Sequence, residues 1–127
     1  MIGPKVPKPS KADERDAYEL VTMRDANTCQ RCKSDCGPIA RDHRQNRQSG
    51  NTVLSNLQCL GLACHIWKTE NPRQAIAEGW GVSRYRVPAE YPAARWFRGE
   101  LGWCLYADDG DILKITANEA RRRMEGG

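Results

Sequence analysis

Residues 29–44 have the sequence CQRCKSDCGPIARDHR, and residues 57–70 have the sequence LQCLGLACHIWKTE. These two stretches contain five of the six cysteines and both histidines of the 127-residue chain. A chain of this length suffices for one compact domain, but only 39% of its residues are hydrophobic, so the core is thin. A cross-link through cysteines would stabilise such a domain. The two stretches therefore decide the fold.

The cysteines predict a structural zinc site. Short Cys-x2-Cys and Cys-x4-Cys turns can place pairs of thiolates at adjacent corners of a tetrahedral ion. The predicted ligands of this Zn2+ are Cys29, Cys32, Cys59 and Cys64. Cys36 is sterically able to replace one of them, and Cys104 is expected to pack as a small hydrophobe.

Disulfides or unligated buried thiols are the alternatives to zinc, and the N-terminal sequence disfavours disulfides. Residues 1–9 are polar and interrupted by prolines, so they resemble neither a secretory signal nor a membrane span. We therefore expect a cytoplasmic protein with reduced thiols and no membrane association. The formal net charge of +4 is mildly basic and does not by itself identify a nucleic-acid-binding protein.

Caps, turn residues and hydrophobic periodicity predict an α+β fold. Ser10 is expected to cap the first helix, Asn71-Pro72 to open the third, and Thr116 with Glu119 to cap the last. The expected helices are 10–24, 63–70, 71–79 and 116–124, and the expected strands are 39–44, 57–60, 82–87, 103–107 and 112–115. The last two strands flank an Asp-Gly turn and predict a β-hairpin.

Acidic, amide and imidazole side chains are concentrated in three short segments around the cysteines. The segments are Asp42-His43-Arg44, Ser55-Asn56-Leu57-Gln58-Cys59 and Cys64-His65-Ile66-Trp67-Lys68-Thr69. Because neighbouring strand residues point to opposite faces, Asp42 and His43 suit two different roles, and one of these is metal binding. An imidazole can accept a proton near neutral pH, so the segments form a candidate catalytic centre.

These three segments resemble the parts of the HNH endonuclease motif, in the version flanked by Cys-x2-Cys that small nucleases of tailed bacteriophages carry. The continuation from Gly79-Trp80 through Pro88 and Pro92 is similar to the members from actinobacterial phages. The resemblance covers roughly residues 20–97. It implies a ββα-metal fold on residues 39–70.

The resemblance also implies a role for each motif residue. His43 would be the general base, Asp42 and His65 would hold one divalent cation (Mg2+, Mn2+ or Ni2+), and Asn56 would fix the loop that presents His43. Some relatives carry a further histidine where this chain has Thr69, so two protein ligands are expected. The basic side chains expected to contact DNA phosphates are those of Arg44, Arg47, Lys68 and Arg73.

The predicted function is hydrolysis of phosphodiester bonds in double-stranded DNA by a metal-dependent HNH endonuclease. One catalytic centre per chain favours nicking of a single strand. The alternative is a zinc-dependent DNA-binding module, or an accessory protein that joins phage DNA-packaging proteins, without cleavage activity of its own. The predicted organisation is a flexible basic arm at 1–9, a zinc-stapled nuclease domain at 10–98, and a hairpin-helix extension at 99–127 packed on the same domain.

Overall fold

Four helices and two small antiparallel sheets make up the protein in a computed structural model that describes residues 8–125. The elements are α1 (Lys11–Arg24), β1 (Ile39–His43), β2 (Leu57–Gly61), α2 (Leu62–Glu70), α3 (Pro72–Glu78), β3 (Ala93–Phe97), β4 (Glu100–Tyr106), β5 (Ile112–Ile115) and α4 (Ala117–Glu125). Short 3-10 turns at Leu54–Asn56 and Pro88–Glu90 precede β2 and β3. The predicted α+β class is confirmed, whereas most of the predicted flexible arm, residues 1–7, lies outside the described residues.

Helix α1 begins where the sequence predicts, because Ser10 and Asp13 form a reciprocal capping box. The Ser10 hydroxyl accepts a hydrogen bond from the Asp13 N–H at 3.1 Å, and the Asp13 carboxylate accepts one from the Ser10 N–H at 2.9 Å. These two bonds satisfy amide groups that have no partner within the helix. The helix buries Ala17 and Val21 against Leu57 of β2 and thus covers one face of the first sheet.

Strands β1 and β2 form the first sheet and lead directly into α2. They are antiparallel, with Asp42 opposite Gln58 and His43 opposite Leu57. Helix α2 begins at the residue after β2 and packs on the face opposite to α1. The order is therefore strand, strand, helix over residues 39–70.

Helix α3 ends at Gly79, which has a left-handed backbone conformation with φ +89°. A Cβ atom at this position would lie 2.6 Å from the backbone nitrogen of Ala94 and 2.6 Å from the Trp103 ring. Glycine is therefore required here for two reasons, its backbone conformation and the close approach of the second sheet. The helix itself buries Ala75 in a cluster with Trp80 and Ala94.

The second sheet has the strand order β3-β4-β5 and differs in part from the prediction. The hairpin of β4 and β5 is confirmed, with Gly110 in its turn at φ +100°. The predicted strand at 82–87 is wrong, because Gln45 Nε2 donates hydrogen bonds to the carbonyls of Ser83 and Arg86 and holds this segment as a turn. Strand β4 pairs on its other edge with β3, which begins after Pro92.

The C-terminal helix is tied to this turn through backbone acceptors. Arg86 donates hydrogen bonds to the carbonyl oxygens of Arg123 and Met124 near the end of α4. Thr116 accepts a hydrogen bond from the Glu119 N–H at 3.1 Å, as its predicted capping role requires. The predicted boundary at residue 98 lies in the turn between β3 and β4, so the second sheet includes residues from both sides of it.

Candidate functional site

Four cysteine side chains form a cluster that could hold a metal ion such as zinc. They come from the turn after α1 and from the first turn of α2, and their sulfur atoms all lie within 4.8 Å of one another: Cys29, Cys32, Cys36 and Cys64. Sulfur ligands about 2.3 Å from a tetrahedral zinc ion lie about 3.8 Å apart. The Cys36 and Cys64 sulfur atoms are 3.9 Å apart, so the donor set and its spacing fit zinc.

The thiols of this cluster differ in how readily they lose a proton. Burial raises the pKa of Cys29, but backbone N–H groups that donate to its sulfur, including that of Cys32, more than offset this and bring the pKa down to about 7. Burial raises the pKa of Cys64 to about 12 and also raises that of Cys36. One thiolate is therefore readily formed, and a bound metal would have to displace protons from the others.

Cys59 does not belong to the cluster, so the prediction that it is a zinc ligand is wrong. Its sulfur lies 3.6 Å from the Val21 carbonyl oxygen and packs in the core beneath α1. The neighbouring Leu60 is the β2 residue that contacts Cys29 and Cys64. Because side chains alternate along a strand, Cys59 must point to the other face. Cys36, the sterically allowed replacement, occupies the fourth position.

The sixth cysteine has the predicted structural role. Cys104 is fully buried on β4 and packs against Ala93 and Tyr106. Burial raises the pKa of Cys104, so its thiol is neutral. A neutral buried thiol behaves as a small hydrophobe.

Asp42 and His65 meet on the α2 side of the first sheet. Asp42 Oδ1 lies 2.8 Å from His65 Nδ1, and the aspartate side chain is only 3% exposed while that of the histidine is 41% exposed. Asp42 Oδ2 accepts hydrogen bonds from Gln58 Nε2 at 2.9 Å and pairs with Lys68 Nζ at 3.1 Å. A buried carboxylate is thus held firmly, with one oxygen beside an imidazole that faces solvent.

This pair combines two donor types, a carboxylate oxygen and an imidazole nitrogen, that divalent cations bind in proteins. Asp42 Oδ1 and His65 Nδ1 share a hydrogen bond at 2.8 Å, so a cation held by both atoms would have to displace the proton between them. A mixed carboxylate and imidazole donor set suits magnesium, manganese or a transition ion. The Lys68 ammonium group pairs with the other carboxylate oxygen, Oδ2, and leaves Oδ1 beside the imidazole.

The side chain of His43 lies on the opposite face of the first sheet, beneath α1. Its Nε2 lies 2.9 Å from the Thr52 hydroxyl, and its ring packs edge-on against Tyr18 of α1 with the ring centroids 6.2 Å apart. Burial, and then the positive charge of Arg47, lower the pKa of His43 below its ordinary value. His43 is therefore neutral at neutral pH and can accept a proton.

Asn56 fixes the loop between β1 and β2, as the sequence motif implies. It is fully buried; its Oδ1 accepts a hydrogen bond from the Gln45 N–H at 2.7 Å, and its Nδ2 donates to the carbonyls of Gln45 and Asn51 at 3.1 and 2.9 Å. The Asn56 carbonyl also accepts a hydrogen bond from the Arg44 N–H at 2.7 Å. The backbone on the C-terminal side of His43 is therefore closely restrained.

The predicted phosphate contact of Arg44 is wrong. Its side chain is 1% exposed and donates hydrogen bonds to the carbonyls of Ser55, Pro88 and Tyr91, with a longer one to Pro92. A guanidinium group that joins backbone carbonyls from separate turns is a structural element of the core. Burial lowers the pKa of Arg44 to about 10, so it still carries its charge at neutral pH.

The other three basic residues differ in exposure. Arg47 and Arg73 are exposed and are available for phosphate contacts. The Lys68 side chain is only 11% exposed and donates a hydrogen bond to the His43 carbonyl at 2.8 Å in addition to its pairing with Asp42. Lys68 therefore lies inside the site rather than on its surface.

Three polar residues of the site lie outside the set predicted from the sequence: Gln45, Thr52 and Gln58. Gln58 Nε2 binds both Asp42 Oδ2 and the Trp80 carbonyl. The strand register gives the one available signal, since pairing β1 with β2 places Gln58 opposite Asp42. The other two occur in a loop whose conformation has no periodic pattern.

Comparisons of the chain with protein-family models, with curated proteins and with solved structures found no match. Membership of the HNH family therefore remains a prediction from the sequence motifs. None of the helices within residues 8–125 combines the length and the apolar character that crossing a membrane would require.

Proposed function

We propose that this protein is a metal-dependent endonuclease of the HNH type that hydrolyses phosphodiester bonds in double-stranded DNA. The observation that carries the proposal is the 2.8 Å pairing of the buried Asp42 carboxylate with the solvent-facing imidazole of His65. The strand, strand, helix order of residues 39–70 agrees with a ββα-metal unit. His43, the residue after Asp42, has a lowered pKa that suits a general base.

Each residue would contribute a separate function to hydrolysis. A divalent cation bound by Asp42 and His65 would neutralise the charge that develops on the phosphate. His43 would take a proton from the attacking water. In the tautomer whose Nε2–H donates to the Thr52 hydroxyl, Nδ1 is the nitrogen that would accept this proton. Asn56 would keep the loop after His43 in place.

Zinc at the four-cysteine cluster would have a structural role in this proposal. A site closed by four thiolates has no open position for water or substrate, which is typical of structural zinc. The four ligands would be Cys29, Cys32, Cys36 and Cys64. Because the zinc would take no part in catalysis, each chain would provide one catalytic centre. The expected product is therefore nicked DNA.

A zinc-dependent DNA-binding module, or an accessory protein of phage DNA packaging, is the second candidate. It is favoured by the separation of the two catalytic parts, since His43 contacts Tyr18 beneath α1 while Asp42 and His65 meet on the α2 side of the same sheet. The four-cysteine cluster would serve such a module equally well. Cleavage activity distinguishes the two candidates.

The test is a time course of supercoiled plasmid nicking with Mg2+, Mn2+ or Ni2+, accompanied by a gel-shift assay of DNA binding. We expect nicking by the wild type. His43→Ala should retain the fold and the DNA affinity but cut about 100 to 10,000 times more slowly, the usual effect of losing a general base. His65→Ala should require more metal. Gln74→Ala, an exposed change on α3, serves as the control.

Two results would contradict the nuclease. Equal cleavage by the wild type and His43→Ala would remove the proposed base. Binding of DNA by the wild type with no cleavage under any of the three ions would instead support the binding module.

A further inference from the structure

Lys68 makes two contacts that link the candidate metal ligand to the candidate base. Its Nζ lies 3.1 Å from Asp42 Oδ2 and donates a hydrogen bond to the backbone carbonyl of His43 at 2.8 Å. Lys68 lies on α2 one turn after His65, so the same helix supplies both the imidazole and the ammonium group. The ammonium group therefore joins the Asp42 carboxylate to the backbone of His43.

We propose that Lys68 is a positioning residue that holds Asp42 in place and weakens metal binding in the absence of DNA. The inference rests on the proposed function, because it takes Asp42 and His65 as metal ligands. It replaces the prediction that Lys68 contacts a DNA phosphate. A phosphate-contacting lysine needs an accessible ammonium group, whereas the Lys68 side chain is 11% exposed and its ammonium group has two protein partners.

The positioning effect follows because the two oxygens of the Asp42 carboxylate have different partners. Lys68 and Gln58 both contact Asp42 Oδ2. With Oδ2 fixed in this way, Oδ1 faces His65 at 2.8 Å. The bond from Lys68 to the His43 carbonyl then sets the position of β1 relative to α2. A carboxylate with a fixed rotation and a fixed distance to the base is what a preorganised site requires.

The effect on affinity follows from charge. The Asp42 carboxylate is already paired with one ammonium group, so the two side chains together carry no net charge toward an incoming cation. This is the effect of the one ammonium group, which lies within a few ångströms of the candidate cation position and repels a divalent ion. The site should therefore bind the cation weakly by itself and more tightly when a DNA phosphate adds negative charge. Coupling of this kind is reciprocal, so the cation should also strengthen DNA binding.

The test compares Lys68→Met, which removes the charge, with Lys68→Arg, which keeps it. Mn2+ is titrated into each zinc-loaded protein by calorimetry at pH 8 without DNA, and plasmid nicking is then measured at saturating Mn2+. Lys68→Met should bind Mn2+ about tenfold more tightly than the wild type, because a nearby repelling charge is gone. It should also cut about tenfold or more slowly at saturation, because Asp42 is less well held. Lys68→Arg should keep an affinity close to that of the wild type.

Two further variants secure the interpretation. Lys114→Met removes the same charge from β5 in the other sheet and should leave the Mn2+ affinity unchanged. Lys68→Gln retains a donor for the His43 carbonyl, so it preserves the fold if the methionine variant unfolds, and it should also bind Mn2+ more tightly. Tighter Mn2+ binding by both neutral variants, with slower cleavage at saturation, would assign the first effect to the lost charge and the second to the lost positioning of Asp42.

The outcomes separate this inference from the proposed function. Lys68→Met and Lys68→Gln variants that bind Mn2+ no more tightly than the wild type would overturn the role of Lys68. Wild-type protein that binds Mn2+ through Asp42, as shown by loss of binding in Asp42→Asn, but cuts no DNA would overturn the nuclease and leave the affinity comparison to decide on Lys68. Wild-type and Lys68→Met proteins that bind no Mn2+, with or without duplex DNA, would overturn the role of Lys68, and absence of cleavage with all three ions would overturn the nuclease as well.

Discussion

Replacing Asn56 by alanine tests whether the loop between β1 and β2 depends on one buried amide. Asn56 is fully buried and makes three side-chain hydrogen bonds, two with the backbone of Gln45 and one with the carbonyl of Asn51. Alanine would leave the Gln45 N–H and two carbonyl groups without these partners. A typical hydrogen bond contributes about 0.5–1.5 kcal/mol net, and a buried group left unpaired costs about 1–3 kcal/mol.

The expected loss for Asn56→Ala is about 2–5 kcal/mol, since water can reach the partly buried Asn51 carbonyl and recover some of the cost. Small domains are stable by about 5–15 kcal/mol, so the variant should fold but be far less stable. Asn56→Asp keeps the acceptor for the Gln45 N–H but directs an oxygen at two carbonyls, and it should lose at least as much. Asn118→Ala, at an exposed position on α4, is the matched control.

The assay is urea unfolding followed by tryptophan fluorescence, with plasmid nicking measured where each variant is more than about nine-tenths folded. Because Asn56 acts on His43 through the loop backbone, cleavage by the folded variant should fall less than in His43→Ala. A free energy of unfolding within 0.5 kcal/mol of the wild type, that is, within the usual range of a surface change, would refute this account of the loop.

Two other predictions concern the cysteines and pH. Cys36→Ser should lower the zinc content and remove most of the folding stability, because it removes a ligand, whereas Cys59→Ser should retain zinc and lose only core packing. Zinc analysis and thermal melting of both variants check this. Loss of zinc in Cys59→Ser alone would restore Cys59 as the fourth ligand. The lowered pKa of His43 predicts that cleavage rises with pH only on the acidic side, as the imidazole loses its proton, and is level from about pH 7 to 8. A rate that continues to rise tenfold between pH 7 and 8 would show that His43 is not the limiting base.

Local signals in the sequence predicted the elements whose ends depend on local chemistry. Ser10 with Asp13 begins α1, Gly79 ends α3, and the Asp-Gly turn joins β4 to β5. Each of these features needs only a few neighbouring residues to form. Strand β3 was not predicted, because its two alanines have little propensity for strands. Its structure depends instead on its pairing with β4.

The site residues that were predicted wrongly are likewise those whose positions depend on partners distant in sequence. Spacing alone made Cys59 a reasonable zinc ligand, but the ligand set depends on which face of β2 points at the cluster. Arg44 follows His43 in a motif rich in charge, yet its side chain reaches carbonyls more than forty residues away in sequence at Pro88 and Tyr91. Such long-range partners leave no local pattern, so an arginine of the core and an arginine of the surface look alike in the sequence.

The start of α2 connects the two candidate metal sites. Cys64 belongs to the four-cysteine cluster and the next residue, His65, pairs with Asp42, so one helical turn carries a ligand for each site. A metal at the cysteines would fix the position of this turn relative to Cys29 and β2, and would thereby fix where the His65 ring meets Asp42. Loss of the structural metal should therefore reduce binding of the second cation even though no cysteine touches it. By linkage, the second cation should in turn strengthen zinc binding by the same factor, although removing the His65 imidazole leaves all four sulfur ligands in place.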